Sequence, residues 1–226
     1  MYTYATLPIP LRLLPLAVIS FVLLVGGLVA QLVLAADLQP IKIAPPVNPP
    51  LAQPVVPTSG SAAVSELFTP EVRYWSADIV RWAEPYRLDP NLVATVMQIE
   101  SCGNPEAISK SGAQGLFQVM PFHFSADENM RDPDTNAKRG LDYLSRGLSV
   151  SGDQPGLALA GYNGGHSQIS KTWSLWPAET KRYFYWGSGI YGDVGNGAES
   201  SSRLTEWLNA GGASLCARAH QQLGLP

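Results

Sequence analysis

The uncharged run LLPLAVISFVLLVGGLVAQLVLAA at positions 13–36 constrains this chain more than any other feature. A stretch of about 18 or more apolar residues is long enough to span a bilayer as a helix. Arg12 and the amino terminus precede it with no acid nearby, an asymmetry that points to a cytoplasmic N-terminus. Val33-Leu34-Ala35 also offers a small-residue cleavage site, so a removed signal peptide stands beside a retained anchor. The run exceeds an ordinary signal h-region, which tilts the reading toward the anchor. A buried core helix fits poorly with its terminal position and its lack of polar periodicity. Either favoured reading exports the rest of the chain, to an extracytoplasmic place at the membrane or in the cell wall.

Residues 37–66 cannot build a core. They carry Pro40, Pro45, Pro46, Pro49, Pro50, Pro54 and Pro57, then Ser59-Gly60-Ser61. Such a segment tends to extended polyproline II at about 3.1 Å per residue, so some 25 residues reach roughly 75 Å. The expected organisation is therefore an anchor or signal over 1–36, a Pro-rich linker over 37–66, and a folded domain over 67–226. Composition narrows what that domain does. Of the 226 residues, 15 are Lys or Arg and 18 are Asp or Glu, for a net charge of −3. No basic run reaches three, which argues against duplex binding, and no nucleic-acid partner is expected. The 3 His have no ligand-like spacing, so neither a metal nor a cofactor is expected. The 2 Cys exclude a zinc ribbon and a disulfide-dense scaffold.

The domain reads as mainly helical. Trp75, Ile79 and Trp82 recur at helical spacing. Asp89-Pro90 supplies an N-cap with proline at the first helical position, opening NLVATVMQIES. Asp132-Pro133 repeats that signal ahead of the stripe Ala137, Leu141, Leu144, Leu148. Leu157–Asn163 predicts a short helix closed by Gly164-Gly165. Pro177 opens another toward Tyr185, and Leu204–Leu223 closes the chain, interrupted at Gly211-Gly212. Between Gly103 and Met120, glycines and a proline predict a loop or small hairpin.

Glu100 does not fit its helix. It lies seven, four and three residues beyond Val93, Val96 and Met97, so it projects from the apolar face. Lost hydration raises a carboxyl pKa there, and the C-terminal end of the helix dipole works in the same direction. Both favour a protonated acid near neutral pH, the state a general acid needs. From periodicity alone, a helix-end Glu that reaches solvent or pairs with an Arg is an equal reading.

The residues around Glu100 resemble a known family. Glu100-Ser101, Ala107-Ile108-Ser109 and the run Gly112-Ala113-Gln114-Gly115-Leu116-Phe117-Gln118-Val119-Met120-Pro121 look like the core signature of the soluble lytic transglycosylases. Ala160-Gly161-Tyr162-Asn163-Gly164-Gly165 resembles the second motif of that family, usually written AYNAG. Glu179-Thr180 with Tyr183 resembles the third. Asp134-Thr135-Asn136-Ala137, Gly140 and Tyr143-Leu144 fit the helix between. Phe117 stands where Met is commoner, Gly161 and Gly164 replace Ala, and Phe184 follows Tyr183 where Val is typical. These exchanges bear on pocket shape more than on chemistry.

The resemblance implies a lysozyme-like α+β fold of the goose type that cleaves the β-1,4 bond between N-acetylmuramic acid and N-acetylglucosamine. It implies one catalytic carboxyl, Glu100, acting as acid and then as base, with a 1,6-anhydromuramic product. Ser109, Gln118, Tyr162, Asn163, Glu179 and Tyr183 are the residues it implies along the cleft. The expected partners are peptidoglycan strands and, through the N-terminal helix, the membrane; the expected state is a monomer. Two other functions fit the same fold: a hydrolytic lysozyme with a second carboxylate to activate water, and a silent peptidoglycan-binding module. Asp127, Glu128, Asp132 and Asp134 form an acidic loop that is expected to be solvated, with Asp132 as a cap, but that has room for such a second carboxylate. In an oxidising compartment Cys102, just after Glu100, and Cys216, in the last helix, are expected to form a disulfide.

Overall fold

The computed structural model describes residues 63–226. The expected anchor or signal and most of the expected linker lie outside the described residues. Among the described residues, no helix is long and apolar enough to cross a membrane.

The architecture is helical: α1 (Pro70–Arg73), α2 (Ser76–Ala83), α3 (Pro90–Glu100), α4 (Pro133–Ser151), α5 (Pro155–Gly164), α6 (Ala178–Gly195), α7 (Ser202–Trp207) and α8 (Ala213–Leu223). Single 3-10 turns cover Glu84–Tyr86, Pro121–His123, His166–Gln168 and Trp173–Leu175. The β part of the expected fold is smaller than an α+β label implies. Among the described residues it amounts to two isolated antiparallel bridges, Ile108 with Gln114 and Gln114 with Val119.

Helix α3 is the axis of the core. Every residue from Asn91 to Gln98 is buried, as befits a helix enclosed on all sides. It packs against α1, α2 and α6. Asp89 caps it, accepting from Asn91 N at 2.8 Å, and Tyr191 Oη on α6 donates to the same carboxylate at 2.9 Å. Asp132 caps α4 in the same way, accepting from Thr135 N at 2.9 Å. Both Asp-Pro starts therefore act as the sequence predicts.

Helix α6 runs on to Gly195, ten residues past the expected stop near Tyr185. Glycines in a helix interior normally weaken it by about 1 kcal/mol each relative to alanine. Here tertiary packing wins. A Cβ on Gly187 would sit 3.1 Å from Leu159 Cδ1 and 3.5 Å from Ile99 Cδ1. The bare backbone lets α6 close onto α5 and α3. The last helix breaks as expected near Gly211, where one wide turn, Leu208–Gly212, joins α7 to α8.

Cys102 and Cys216 are joined as a disulfide, with Cα atoms 5.0 Å apart. The bond links the turn after α3 to α8. Gln98 braces it: its Nε2 lies 3.1 Å from Cys102 Sγ, and its Oε1 accepts from Thr69 N at 3.1 Å. Beside it, the buried Glu71 of α1 meets His220 Nδ1 of α8 at 2.9 Å. Covalent and polar links thus pin both ends of the domain to the core helix.

Candidate active site

Glu100 is the last residue of α3, where the helix stops because Cys102 and Gly103 turn left-handed at φ 53° and 82°. The helix therefore ends with a carboxyl group deep in the protein. The residue nevertheless keeps partial exposure, as at the floor of a cleft. Burial pushes its pKa from 4.5 up to about 8. The Tyr183 phenol pulls it down, and the charge of Glu179 pushes it up. No cation is among these influences. At neutral pH the carboxyl holds its proton, as its place on the apolar stripe predicts.

Two phenols flank the acid. Tyr183, on α6, is buried, and its hydroxyl has no hydrogen-bond partner of ordinary geometry. Burial and the charge of Glu100 raise its pKa well above 10. Tyr162, on α5, feels the same charge, and its pKa is raised first by burial. Its hydroxyl donates to the Phe117 carbonyl at 2.8 Å. Phenols that cannot ionise remain donors, which suits sites beside a group that alternates between acid and carboxylate.

Asn163 acts one step away from the acid. Its Oδ1 accepts from Thr180 Oγ1 at 3.0 Å. That bond ties the end of α5 to the first turn of α6, where Glu179 stands exposed and Tyr183 follows one turn later. The second and third motifs are thus locked together at the face that meets Glu100.

Ser109 and Gln118 brace the hairpin. Ser109 Oγ accepts from Ala113 N at 3.0 Å and makes no hydrogen bond to Glu100. Gln118 sits at φ 46°, a left-handed conformation that costs a non-glycine residue roughly 1 kcal/mol. Its Nε2 donates to the carbonyls of Ala107 at 3.1 Å and Gly115 at 2.9 Å. These bonds hold the strained turn and leave Gln118 Oε1 as the acceptor free for a ligand.

The residue that sequence reasoning underrated is Asn136. It is buried in the first turn of α4. Its Oδ1 accepts from Phe117 N at 2.8 Å, and its Nδ2 donates to Gln114 O and Met130 O, both at 2.8 Å. One amide therefore fixes the signature hairpin to α4. Gly115, at φ 72°, has no room for a Cβ, which would fall 2.5 Å from Asn136 Nδ2. The available signal was an Asn four and eight residues before Gly140 and Leu144, on the packed shoulder of the stripe.

The acidic loop is occupied elsewhere. Arg139 grips Glu128 at 2.6 Å and 2.9 Å, and Asp132 caps α4. Asp134 accepts from Arg81 at 2.7 Å and Trp82 Nε1 at 2.6 Å. The carboxylate that acts on Glu100 is Glu179 instead.

The profile of the transglycosylase SLT domain matches residues 78–184, a span that opens in α2 and closes just after Tyr183. Residues 78–184 belong to the transglycosylase SLT family. The span of the SLT domain includes Glu100, the hairpin, Asn136, both tyrosines and Glu179. The transglycosylase of Enterobacteria phage PRD1 is 40% identical over 111 residues, covering 48% of this chain and 40% of that protein. Membrane-bound lytic murein transglycosylase E of Buchnera aphidicola is 31% identical over 87 residues, covering 33% of this chain and 39% of that protein. The chain thus spans about two-fifths of the length of these relatives. The solved structure of an inactive mutant of lytic transglycosylase Slt from Pseudomonas aeruginosa aligns over 54% of this chain and 24% of that one, at 26% identity and a TM-score of 0.44.

Proposed function

We propose that this protein is a peptidoglycan lytic transglycosylase of lysozyme-like fold, with Glu100 as its single catalytic carboxyl. The observation that carries the reading is the state of Glu100: a carboxyl raised to about 8, set beside two phenols, with no cation among the described residues acting on it. Glu100 protonates the glycosidic oxygen between N-acetylmuramic acid and N-acetylglucosamine, and the sugar passes through an oxocarbenium-like transition state. The resulting carboxylate takes the proton from the C6 hydroxyl of the same muramyl residue. That oxygen closes on C1 and gives the 1,6-anhydro product. The nucleophile is tethered, so no positioned water is needed.

The neighbours have matching tasks. Tyr183 donates to the carboxylate form, which stabilises Glu100 after it has lost its proton. Tyr162 and Asn163 hold the second motif against the hairpin and α6. Gln118 and Ser109 shape the opposite wall, and Glu179 keeps the acid protonated. The remaining parts of the reading concern place and assembly. Residues 1–36 anchor or export the chain, residues 37–66 space the domain from the membrane, and residues 67–226 work on the wall as a monomer.

The test is mass spectrometry of muropeptides released from purified peptidoglycan by the full chain and by Glu100→Gln. Anhydromuropeptides from the wild type, absent with the variant, support the reading. Reducing-end products, heavier by one water, replace it with a lysozyme in which Glu179 activates the water. Wall binding without products replaces it with a silent binding module.

A further inference from the structure

The Cys102–Cys216 bond lies among groups that a disulfide does not need. The carboxylate of Glu71 is beside it, with Oε2 3.9 Å from Cys102 Sγ. A carboxylate oxygen of Glu71 and the two sulfurs fall within 4.8 Å of one another, and all three residues are buried. His220 Nδ1 meets Glu71 Oε1 at 2.9 Å. Cys216 and His220 are four residues apart on α8, which sets both on one face of that helix. Four metal-ligating side chains thus converge from α1, the turn after α3, and α8. A disulfide is neutral and gains nothing from an anion at its side. Burying a carboxylate costs free energy that its partners must offset, and the ion-pair partner of Glu71, His220, is partly exposed.

The polar groups around the sulfurs point the same way. Gln98 Nε2 lies 3.1 Å from Cys102 Sγ and 3.6 Å from Cys216 Sγ, and Thr69 Oγ1 lies 3.2 Å from Cys102 Sγ. A neutral sulfur is a weak acceptor and draws little from such donors. A thiolate draws far more, and hydrogen bonds of this kind orient metal ligands. Two sulfurs, an imidazole nitrogen and a carboxylate oxygen are ligand types of tetrahedral zinc. Zinc–sulfur bonds of about 2.3 Å hold two thiolates about 3.8 Å apart. That separation is within reach of side chains whose Cα atoms are 5.0 Å apart. No motif spacing signals the set, because residues 71, 102 and 216 come together only in the fold.

We propose that the reduced chain binds one zinc ion here, through Cys102 Sγ, Cys216 Sγ, a carboxylate oxygen of Glu71 and His220 Nδ1. The same three segments are then clipped by a disulfide in the oxidised chain and by zinc in the reduced one. The proposal does not depend on the activity at Glu100. The reductant is a dithiol. Its thiolate attacks Cys216 Sγ, since Cys216 is 7% exposed and Cys102 is not exposed at all. The S–S bond breaks, and its electron pair leaves on Cys102 Sγ, which takes a proton. The second thiol of the reductant attacks the mixed disulfide, departs as a cyclic disulfide and frees Cys216 as a thiol. Two electrons and two protons have then passed to the protein. Zinc displaces both thiol protons, and His220 binds as the neutral imidazole with its proton on Nε2. The ion gives Glu71 the buried counter-charge that a neutral imidazole lacks.

The experiment titrates zinc into the full chain in detergent, in competition with a chromophoric chelator. The chain is used oxidised and after reduction by a dithiol that is then removed without air. The expected result is one zinc per reduced chain and none per oxidised chain. Glu71→Gln and His220→Ala keep the disulfide, so both are purified folded before reduction. Each is expected to weaken zinc binding by at least about tenfold, since even the outer hydrogen-bonding partners of zinc ligands are worth that much. Zinc is expected to raise the Tm of the reduced chain and to leave that of the oxidised chain unchanged. A reduced chain that binds no zinc overturns the proposal, and so does one that binds it equally well in both variants. Far-UV circular dichroism separates a built site from capture by loose thiols. A reduced chain that unfolds without zinc and refolds with it supports the proposal, and one that stays unfolded with zinc bound overturns it.

Discussion

Two acids are set into the interior near the C-terminal end of the core helix, on different neighbours, and they are treated differently. Glu71 is 6% exposed and meets the imidazole of His220 beside the Cys102–Cys216 bond. Glu100 has two phenols and a second carboxylate near it, and no cation among the described residues acts on it. The first acid is a fastener between α1 and α8. The second keeps its proton and is ready to give it up. Burial alone does not make an acid catalyst; what the acid meets in the interior decides whether it holds a proton it can give up.

The sharpest break of that comparison is Glu100→Gln. Activity on peptidoglycan is expected to fall by at least about a thousandfold, measured as anhydromuropeptide release. Stability moves the other way. Because the folded carboxyl titrates near 8 rather than 4.5, the native state holds a proton that the unfolded state releases. Stability of the wild type is therefore highest below pH 4.5 as far as this group is concerned, and it is lost as pH rises toward 8. Denaturant unfolding at pH 8 is expected to find Glu100→Gln more stable by on the order of 2 kcal/mol, with a flatter pH dependence.

The structural neighbourhood of Glu71 gives the opposite sign. Cys216→Ala opens a loop of 114 residues and is expected to cost about 3–5 kcal/mol, read as a lowered urea midpoint. Asn136→Ala strands the Phe117 N–H and two carbonyls. It is expected to cost about 2–3 kcal/mol and to reduce activity along with stability. Glu71→Gln, the counterpart of Glu100→Gln, is expected to destabilise by about 1 kcal/mol, since it weakens the bond to a partly exposed His220. Equal signs for the two Glu→Gln variants would erase the distinction between the acids.

The smallest effects are also the most specific. Tyr183→Phe removes a donor that favours the carboxylate, so the alkaline limb of the activity profile is expected to move to higher pH. Glu179→Gln removes a repelling charge and is expected to move that limb to lower pH. Profiles of kcat against pH for the two variants check both directions. Shifts of the same sign would mean that at least one of the two side chains does not act on Glu100 through its charge or its hydrogen bond.

Much of the helical plan was legible because its signals are local. Asp89-Pro90 and Asp132-Pro133 act within one turn of themselves, and a stripe such as Ala137, Leu141, Leu144 needs only helical geometry to face the core. Glu100 was legible for the same reason, as a carboxyl on an apolar face. The continuation of α6 past Tyr185 was not, because Gly187 is a weakness in an isolated helix and an advantage only once Leu159 and Ile99 lie against it. Nor was the work of Asn136, whose three partners come from segments distant in sequence. The sequence by itself determined which residues carry the chemistry and where the helices begin. Only the tertiary structure decided that Glu100 meets Tyr183 and Glu179 with no described cation acting on it, and that Glu71 is fastened to His220. Those facts depend on which side chains meet across the fold, and a charge is silenced or left free by its neighbours in space rather than in sequence.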